Sequence, residues 1–338
     1  MLPFEIKTLN QFPERSEEVL EIIHQEFNYP QEHSFHDDFY CLFNKDNFKH
    51  CHVVLINDEI IGHIGIKLRQ LGIKNIWTPV ALIGGIAIKK KYQGQGLFKK
   101  VFQKILIQYA SDVSLFILWS NLSNFYKKFH FYECGETIQT NNNSFNLNSF
   151  EKYKKVKLSE LNFSQLDQIK KLYQKDFEQK NLGLKRNPQD WQEMQSVKSC
   201  DLYIKEINDC LSAYFFVGKG KDLSGIIHEA SDTANIDLAN FKMWLSSDHA
   251  NRFPNSEVIF TAFIKWSNLE KLNEFFKKLT SHQLKIIKMD EKEITFTFNK
   301  NNFTTHPQEF AHLLFGPGAA KEFKSIIPPF FVTGHDSV

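Results

Sequence analysis

Residues 81–100 read ALIGGIAIKKKYQGQGLFKK, and this segment decides the fold. An apolar run stops at three lysines, two glycines follow with one residue between them, and from Leu97 onward the apolar residues have helical spacing. A helix N-terminus presents unpaired N–H groups and a partial positive charge, and glycines let the backbone approach a ligand closely. The segment therefore predicts a strand, a phosphate-binding loop and a helix.

The glycine pair differs from the two best-known phosphate loops. It is not a Walker A loop, because no Gly-Lys-Ser/Thr follows it, and Lys99 stands where the dinucleotide fingerprint needs its third glycine. A G-x-G pair alone is a weak signal. The strand before it, the helix after it and the surrounding lysines favour phosphate binding at this position; these lysines are Lys89, Lys90, Lys91, Lys99 and Lys100.

Length and composition limit the class of protein. The chain of 338 residues is long for one core, and its 42% hydrophobic and 14% aromatic residues are typical of a globular protein. The longest apolar run, 80–88, is too short to span a membrane, and the first residues show no signal-peptide pattern. Five cysteines without C-x-x-C and a net charge of +2 predict a reduced cytoplasmic protein that binds neither nucleic acid nor membrane.

The hydrophobic pattern predicts alternating strands and helices in the first half. We expect strands at 4–9, 52–56, 60–68, 76–88 and 115–119, and helices at 14–27 and 97–109. A short helix should precede the sequence FHFYECG. A mixture of strands and helices with a loop at a strand-to-helix junction indicates an α/β or α+β fold.

Two motifs resemble the GCN5-related N-acetyltransferase (GNAT) superfamily. IAIKKKYQGQGLF resembles its acyl-coenzyme A loop, Gln/Arg-x-x-Gly-x-Gly/Ala, with Phe98 in place of the final small residue. LFILWSNLSNFYKKFHFYECG, at the expected distance, resembles the strand, short helix and closing motif of these enzymes, with His130 in place of a glycine. The resemblance covers about residues 4–148. Two motifs in the right order and at the right distance are a much more specific signal than either motif alone.

The resemblance implies a mixed sheet whose two central strands splay apart, with helices on its faces. Pantetheine would lie in the gap, and the backbone amides of the loop would hold the pyrophosphate. It assigns coenzyme binding to Ile86, Ala87, Ile88, Gln93, Gly94, Gln95, Gly96, Leu97, Phe98 and Asn121. The Ile88 N–H would polarise the thioester carbonyl and stabilise the oxyanion.

Tyr126 matches the general acid of the family. A phenol with a pKa of about 10 can donate a hydrogen bond to a leaving thiolate with a pKa of about 8.5. The implied function is transfer of an acetyl group from acetyl-CoA to a small-molecule or peptide amine by direct attack in a ternary complex. A non-catalytic acyl-CoA sensor or interaction module is the alternative, which Phe98 and His130 keep open.

The general base stays open in the sequence. Many relatives carry a glutamate on the central strand, but this chain has Gly84 and Gly85 there. Glu26, His24 and His63 are candidates by approximate position only. A water relay and an amine that arrives already neutral are equally compatible with the sequence.

Charge is distributed unevenly along the first half. Residues 1–60 carry 12 acidic and 4 basic side chains, whereas residues 61–150 carry 3 acidic and 11 basic ones. Solvated helix faces explain such a pattern, and so does a site with an anionic coenzyme and a cationic acceptor. The segment EHSFHDD, which includes His33, His36, Asp37 and Asp38, lacks a second matched cluster, so we expect contact with the acceptor there and no metal.

The second half parallels the first. Residues 53–68 and 203–220 both carry Ile-Asn-Asp at the turn of a strand pair that follows a helix, and LSGIIHEASD stands where the glycine loop would be. We predict an acetyl-CoA-binding domain at 1–150 and a degenerate GNAT-like domain at 151–338, with a linker near NSFEKYKKVK.

The tail IIPPFFVTGHDSV is too apolar for a freely moving end. In one tandem branch of the family, the enhanced-intracellular-survival acetyltransferases, a terminal carboxylate enters the active site as a base. The resemblance thus offers the Val338 carboxylate, His335 or Asp336 for that role. Simple packing of the tail between the two halves is the competing interpretation.

Overall fold

The structure is a computed structural model that describes residues 3–140, 152–234, 241–253, 256–319 and 321–338. Within these residues the helices are α1 Ser16–Glu26, α2 Phe35–Asp38, α3 Tyr40–Phe43, α4 Leu97–Tyr109, α5 Ser123–Tyr126, α6 Phe163–Tyr173, α7 Pro188–Gln195, α8 Leu269–Leu279, α9 Pro307–Phe315 and α10 Lys321–Lys324.

The strands of the first half are β1 Glu5–Thr8, β2 Cys51–Ile56, β3 Glu59–Ile73, β4 Ile76–Ile88, β5 Leu115–Leu118, β6 Tyr132–Cys134 and β7 Thr137–Gln139. The later strands are β8 Lys154–Val156, β9 Gly183–Leu184, β10 Asp201–Ile207, β11 Cys210–Val217, β12 Ile227–Ala230, β13 Trp244–Ser246, β14 Glu257–Ile259, β15 Ala262–Trp266, β16 Leu284–Met289, β17 Ile294–Phe298 and β18 Asn301–Thr305.

The main sheet has the strand order β1-β2-β3-β4-β5-β15-β6, with β9 on the edge of β3. Its central strand β4 is buried on both faces, because alternate side chains point to opposite sides. Val80 and Leu82 join the core that includes α1, whereas Ala81 and Ile83 join the core that includes α4. The predicted strand at 76–88 and the predicted helix at 97–109 are confirmed.

A second sheet, with the order β12-β11-β10-β8, repeats the start of the first. In each sheet a short strand is followed by a helix and then by a hairpin, β2–β3 or β10–β11. Both hairpins turn through an Asn-Asp pair with positive φ at both residues, the geometry of a two-residue hairpin turn. These parallels support a second copy of the fold. The predicted boundary at residue 150 lies outside the described residues, and the division stays a prediction.

The two halves share the main sheet. Strand β15, from the second half, pairs antiparallel with β5 on one side and with β6 on the other. Its Ile264 is fully buried and lies opposite Ile117 and Tyr132. A further unit that the sequence did not indicate, formed by α8, α9 and the sheet β16-β17-β18, packs into the core that contains α1. The main sheet is therefore complete only when both halves are folded.

This shared strand predicts a large loss of stability for Ile264→Ala. Removing a buried isoleucine side chain beyond Cβ costs about 2–5 kcal/mol of unfolding free energy. Urea denaturation should show a clearly lowered midpoint. Ile107→Ala is the control, because Ile107 is 73% exposed on α4 and its loss should change stability by no more than about 0.5 kcal/mol. Equal midpoints for the two variants would contradict the shared sheet.

Candidate functional site

A cavity opens where β4 and β5 separate. The two strands pair in parallel from Val80↔Leu115 to Ile83↔Leu118, and their pairing ends there. On its other side β4 carries one extra residue between Gly84 and Ala87, so the strand contains a bulge. Gly85 has φ +58, a conformation that favours glycine, and its carbonyl oxygen lies 2.7 Å from His63 Nδ1. The splayed central strands predicted from the sequence thus have a local cause.

The cavity has a volume of about 970 Å³ and is lined by both halves of the chain. Six of the predicted site residues line it, namely Ile86, Ala87, Ile88, Gln93, Asn121 and Tyr126. The second half contributes aromatic side chains and the tail, including Trp244, Phe260, Phe263, Phe331 and Val338. Sequence reasoning did not identify these aromatic residues, because nothing local marks a side chain that reaches a distant strand gap.

The glycine loop lies beside this cavity. Gly94 and Gly96 have φ values of +74 and +72, and Gly96 is the N-cap residue of α4. Gln93 ties the loop down, since its side-chain amide donates to the Ile88 carbonyl oxygen at 2.7 Å and to Glu26 Oε2 at 2.8 Å. The loop residues from Gly94 to Phe98 are not among the residues that line the cavity, so their role in coenzyme binding stays a prediction.

Phe98 replaces the small residue of the family motif and packs away from the loop. Its ring lies 5.0 Å from Phe102, 5.2 Å from Phe125 and 5.3 Å from Phe129, measured between ring centroids. The aromatic side chain therefore joins α4 to the short helix that carries Tyr126. A Cβ placed on Gly94 would meet no atom of the Phe98 ring within 4 Å.

The lysines near the loop are not equivalent. Glu59 accepts hydrogen bonds from Lys91 and Lys89, both at 3.0 Å, and from the Tyr92 hydroxyl at 2.9 Å. These bonds, with that from Lys91 the strongest, lower the pKa of Glu59 to about 2. Lys90, Lys99 and Lys100 are exposed. They are the lysines with charge to offer to an anionic coenzyme.

The backbone of Ile88 faces the gap. The Lys89 N–H donates to the Ile61 carbonyl oxygen at 2.8 Å, toward β3. Because successive peptide groups of a strand point in opposite directions, the N–H and C=O of Ile88 point away from β3. The bond from Gln93 to the Ile88 carbonyl confirms this direction. The N–H of Ile88 is thus directed as an oxyanion donor would be.

Tyr126 ends the short helix α5 and is 6% exposed. It packs among Phe125, Phe131 and Phe263, and burial raises the pKa of its hydroxyl to about 12. Within the described part of the chain, no protein group hydrogen-bonds to this hydroxyl. A phenol with this pKa keeps its proton at neutral pH and can donate it to a group in the cavity.

The three candidates for the general base lie in different settings. His24 Nε2 accepts the Phe35 N–H at 3.1 Å, and Glu26 accepts the Lys90 N–H at 2.9 Å as well as the Gln93 amide. His63 is fully buried beneath the bulge, and this burial lowers its pKa to about 4. Of the three, Glu26 lines the cavity.

The tail reaches the cavity at the glycine pair. A Cβ placed on Gly84 would lie 2.4 Å from the backbone carbonyl carbon of Val338, so the tail occupies the space that a side chain at position 84 would need. The tail thus approaches the strand position at which many relatives carry a glutamate. The two other candidates from the tail, Asp336 and His335, are buried.

A buried ionic network holds the tail. Asp336 pairs with Arg186 at 2.8 Å and with Arg69 at 3.1 Å. Burial alone would raise the pKa of Asp336, but the two guanidinium groups hold it well below its ordinary value. Lys219 donates to the carbonyl oxygens of Gly334 and His335, both at 3.2 Å, and to that of Ser337.

The segment EHSFHDD reaches the cavity through its aromatic neighbours. Tyr29, Phe35 and Phe39 line the cavity, whereas His33, His36, Asp37 and Asp38 do not. Asp38 is buried and accepts a hydrogen bond from the Tyr29 hydroxyl. Contact between the four polar side chains and the acceptor, as predicted from the sequence, is therefore not what this arrangement offers.

Comparison with known proteins agrees with this geometry. Residues 16–135 match the Acetyltransferase (GNAT) family. The chain carries a GNAT acetyltransferase domain. The predicted fold class is confirmed, and the acetyltransferase domain matched at 16–135 supports an acyltransferase activity. The matched family uses acyl-CoA and acts on amine acceptors. No curated protein matches the chain by sequence.

Solved structures share the fold over nearly the whole chain at low identity. Eis1 from Mycobacterium abscessus has a TM-score of 0.61 and 11% identity, covering 99% of this chain and 100% of its own. A GCN5-related N-acetyltransferase from Anabaena variabilis has a TM-score of 0.57 and 16% identity, and the match covers 97% of this chain and 100% of its own. A probable N-acyltransferase of unknown function from Enterococcus faecalis has a TM-score of 0.58 and 13% identity, and the match covers 93% of this chain and 90% of its own. Within the described residues, no helix is long and apolar enough to cross a membrane.

The loop geometry predicts a specific effect of Gly94→Ala. A Cβ at Gly94 meets no protein atom within 4 Å, so an added methyl group would point into the space where a bound phosphate approaches the backbone. Affinity for acetyl-CoA, measured by calorimetry, should fall at least about tenfold, or about 1.4 kcal/mol.

Gly225→Ala is the matched control, because Gly225 has a similar φ of +68 and also faces open space, but lies outside the loop. It carries the same backbone strain without the predicted clash. Equal affinities for the two variants would remove the glycine loop from the coenzyme site.

Proposed function

We propose that this chain transfers an acetyl group from acetyl-CoA to a cationic amine by direct attack in a ternary complex. One observation carries the proposal: Ile88, Tyr126 and Val338 line a single cavity between splayed strands. In the proposal, the Ile88 N–H is the hydrogen-bond donor for an oxyanion, the Tyr126 hydroxyl is the proton donor for a leaving thiolate, and the carboxyl group of Val338 is the proton acceptor for an amine.

In this proposal the coenzyme enters between β4 and β5. Pantetheine pairs with the exposed backbone of residues 86–88, Asn121 bonds its arm, and the amides of residues 93–98 hold the pyrophosphate. The exposed position of Asn121 on the cavity wall supports its part. The N-terminus of α4, a helix of 13 residues, adds its partial positive charge at the loop.

The chemistry then follows from the positions of two groups. The acceptor nitrogen attacks the thioester carbon, and the carbonyl oxygen becomes an oxyanion that the Ile88 N–H stabilises. When the tetrahedral intermediate collapses, the C–S bond breaks and the Tyr126 hydroxyl gives its proton to the departing thiolate. The buried, protonated phenol suits this step, because it does not ionise before the thiolate forms.

The base is assigned to the tail. In a chain that ends at Val338, the terminal carboxylate lies beside Gly84 and accepts the proton that the attacking amine loses. Glu26 already accepts two hydrogen bonds from the loop, and His63 lies outside the cavity lining. A water relay, or an amine that arrives neutral, is the alternative that the experiments below distinguish.

The cavity wall favours a cationic acceptor. Among the described residues, Glu26, Glu133 and Asp222 line the cavity together with Val338, against one lysine, Lys221. Besides Tyr126, nine aromatic side chains of the described lining offer faces to which a cation is attracted; they are Phe27, Tyr29, Phe35, Phe39, Trp119, Trp244, Phe260, Phe263 and Phe331. Glu26 precedes the segment EHSFHDD and is in this lining, whereas Asp37 and Asp38 of that segment are not.

A panel of amines tests the proposal. Cationic, neutral and anionic amines, with peptides among them, are mixed with acetyl-CoA and scored by thiol release. Cationic amines should be the preferred acceptors, and added salt should raise their KM. Preference for neutral or anionic acceptors would contradict the charge argument. Tight binding of acetyl-CoA without thiol release for any acceptor would favour a coenzyme sensor.

Tyr126→Phe tests the proton donor. The change removes one hydroxyl group and almost no volume, so folding and coenzyme affinity should stay as in the wild type. The kcat should fall roughly 10²- to 10⁴-fold, with KM little changed, because a positioned acid acts in the transition state. Steady-state kinetics measures this loss, and full activity of the variant would assign the proton to water or another group.

Gly84→Ala tests the position of the tail. The new methyl group would lie 2.4 Å from the backbone carbonyl carbon of Val338, so the tail has to move. A displacement of about 1 Å at a reacting group can cost about 10² in rate, and we expect a kcat loss of this size with acetyl-CoA affinity retained. Gly318→Ala adds a methyl group in open space and serves as control. A kcat equal to that of the control would exclude the tail from catalysis.

A further inference from the structure

Three metal-ligating side chains meet behind the cavity. Cys200 directly precedes β10, His228 lies on β12, and His335 belongs to the tail. One potential ligand atom from each lies within 4.8 Å of the other two. Their exposed fractions are 4%, 0% and 2%, so the cluster is closed to bulk solvent.

The histidines of this cluster have unused nitrogen atoms. Among the described residues, both ring nitrogens of His335 and Nδ1 of His228 lack a hydrogen-bond partner although they are buried. An unsatisfied buried polar atom destabilises the folded chain, and native structures contain few of them. Three such atoms at one point need an explanation, and a bound ligand for the nitrogen lone pairs provides it.

We propose that Cys200, His228 and His335 bind a divalent transition-metal ion of the Zn²⁺ class. A thiolate and two imidazoles are the ligands that zinc takes in proteins, at about 2.3 Å for sulfur and 2.0–2.1 Å for nitrogen. Ligand atoms at those lengths in a tetrahedron lie roughly 3.3 to 3.6 Å apart. Small side-chain rotations, of about 1 Å, therefore close the site from its present 4.8 Å spread.

The surroundings of His228 fit this role. Its Nε2 lies 3.0 Å from the Gly218 carbonyl oxygen and 3.7 Å from Cys200 Sγ. When the ring donates its Nε2–H to Gly218, the free lone pair is on Nδ1, the nitrogen without a partner among the described residues. A metal-binding histidine usually donates its other N–H to a carbonyl or carboxylate in this way.

The nearby charges make the thiol essential. Arg186 is offset by Glu229 and Asp336, but Lys219 adds a positive charge that opposes a cation. Metal binding replaces the S–H bond of Cys200 by a metal–sulfur bond, and the proton leaves to solvent. The resulting thiolate charge offsets Lys219. Removing the sulfur should therefore abolish binding rather than weaken it slightly.

An ion could reach the cluster from the cavity, and its binding would fix the tail. His228 and Gly334 line the cavity, so the cluster is adjacent to the space that opens to solvent. Because His335 stands three residues before Val338, a bound ion would tie the tail to the second sheet. This inference does not depend on the proposed acetyl transfer, since metal binding is measured without substrate.

Metal titration of the full chain tests the site. Chelator-treated protein is titrated with Zn²⁺ in a calorimeter and with Co²⁺ in a spectrophotometer, where a thiolate ligand gives a charge-transfer absorption. We expect one equivalent of either ion, the charge-transfer band with Co²⁺, and a rise in melting temperature. Cys200→Ser should abolish the band, and His335→Gln should weaken binding at least about tenfold, or about 1.4 kcal/mol.

Two cysteine variants serve as controls, each expected to keep the wild-type stoichiometry and band. Cys134→Ser removes a different buried thiol, and Cys210→Ser removes the exposed one. The proposal fails if the wild type binds neither ion, or if Cys200→Ser binds Co²⁺ with an unchanged band. Should Cys200→Ser not fold, His335→Gln decides, because it leaves the second sheet intact and acts only on the tail.

Discussion

The buried ion pair between Arg186 and Asp336 fixes where the tail ends. Both side chains are excluded from solvent, and Arg186 also pairs with Glu229 and stacks over Tyr173 at 3.8 Å. Removing one partner of such a pair leaves a buried charge uncompensated, at a cost of about 3–5 kcal/mol. The tail therefore cannot leave its place cheaply, and Val338 is held against the cavity by residues of the second half.

In the first half, a pair of glycines leaves space for this tail. Gly84 has no side chain, and Gly85 adopts a left-handed conformation that places a bulge at the point where β4 leaves β5. One pair of glycines thus separates the two central strands and makes room for Val338 of the tail. The proposed active site is composite, because its donors come from one half and its base from the other.

Sequence patterns predicted the local parts of this account. The strand, loop and helix of residues 76–109 follow from apolar periodicity, and motif spacing placed Ile88 and Tyr126 at what is now the cavity wall. The insertion of Ala262–Trp266 between β5 and β6 could not be predicted, because a short apolar strand does not specify a distant partner. The cluster of Cys200, His228 and His335 escaped notice for the same reason, since its ligands lack any regular spacing.

The position of the Val338 carboxylate is the central claim, and one added residue tests it most directly. A glycine appended after Val338 moves the terminal carboxylate by about 3.8 Å and leaves the contacts of Asp336 and Lys219 in place. Single-turnover acetyl transfer is compared with that of a chain ending at Val338, with acetyl-CoA affinity measured in parallel. We predict unchanged affinity and a transfer rate lower by about 10² or more. An unchanged transfer rate would contradict the composite site.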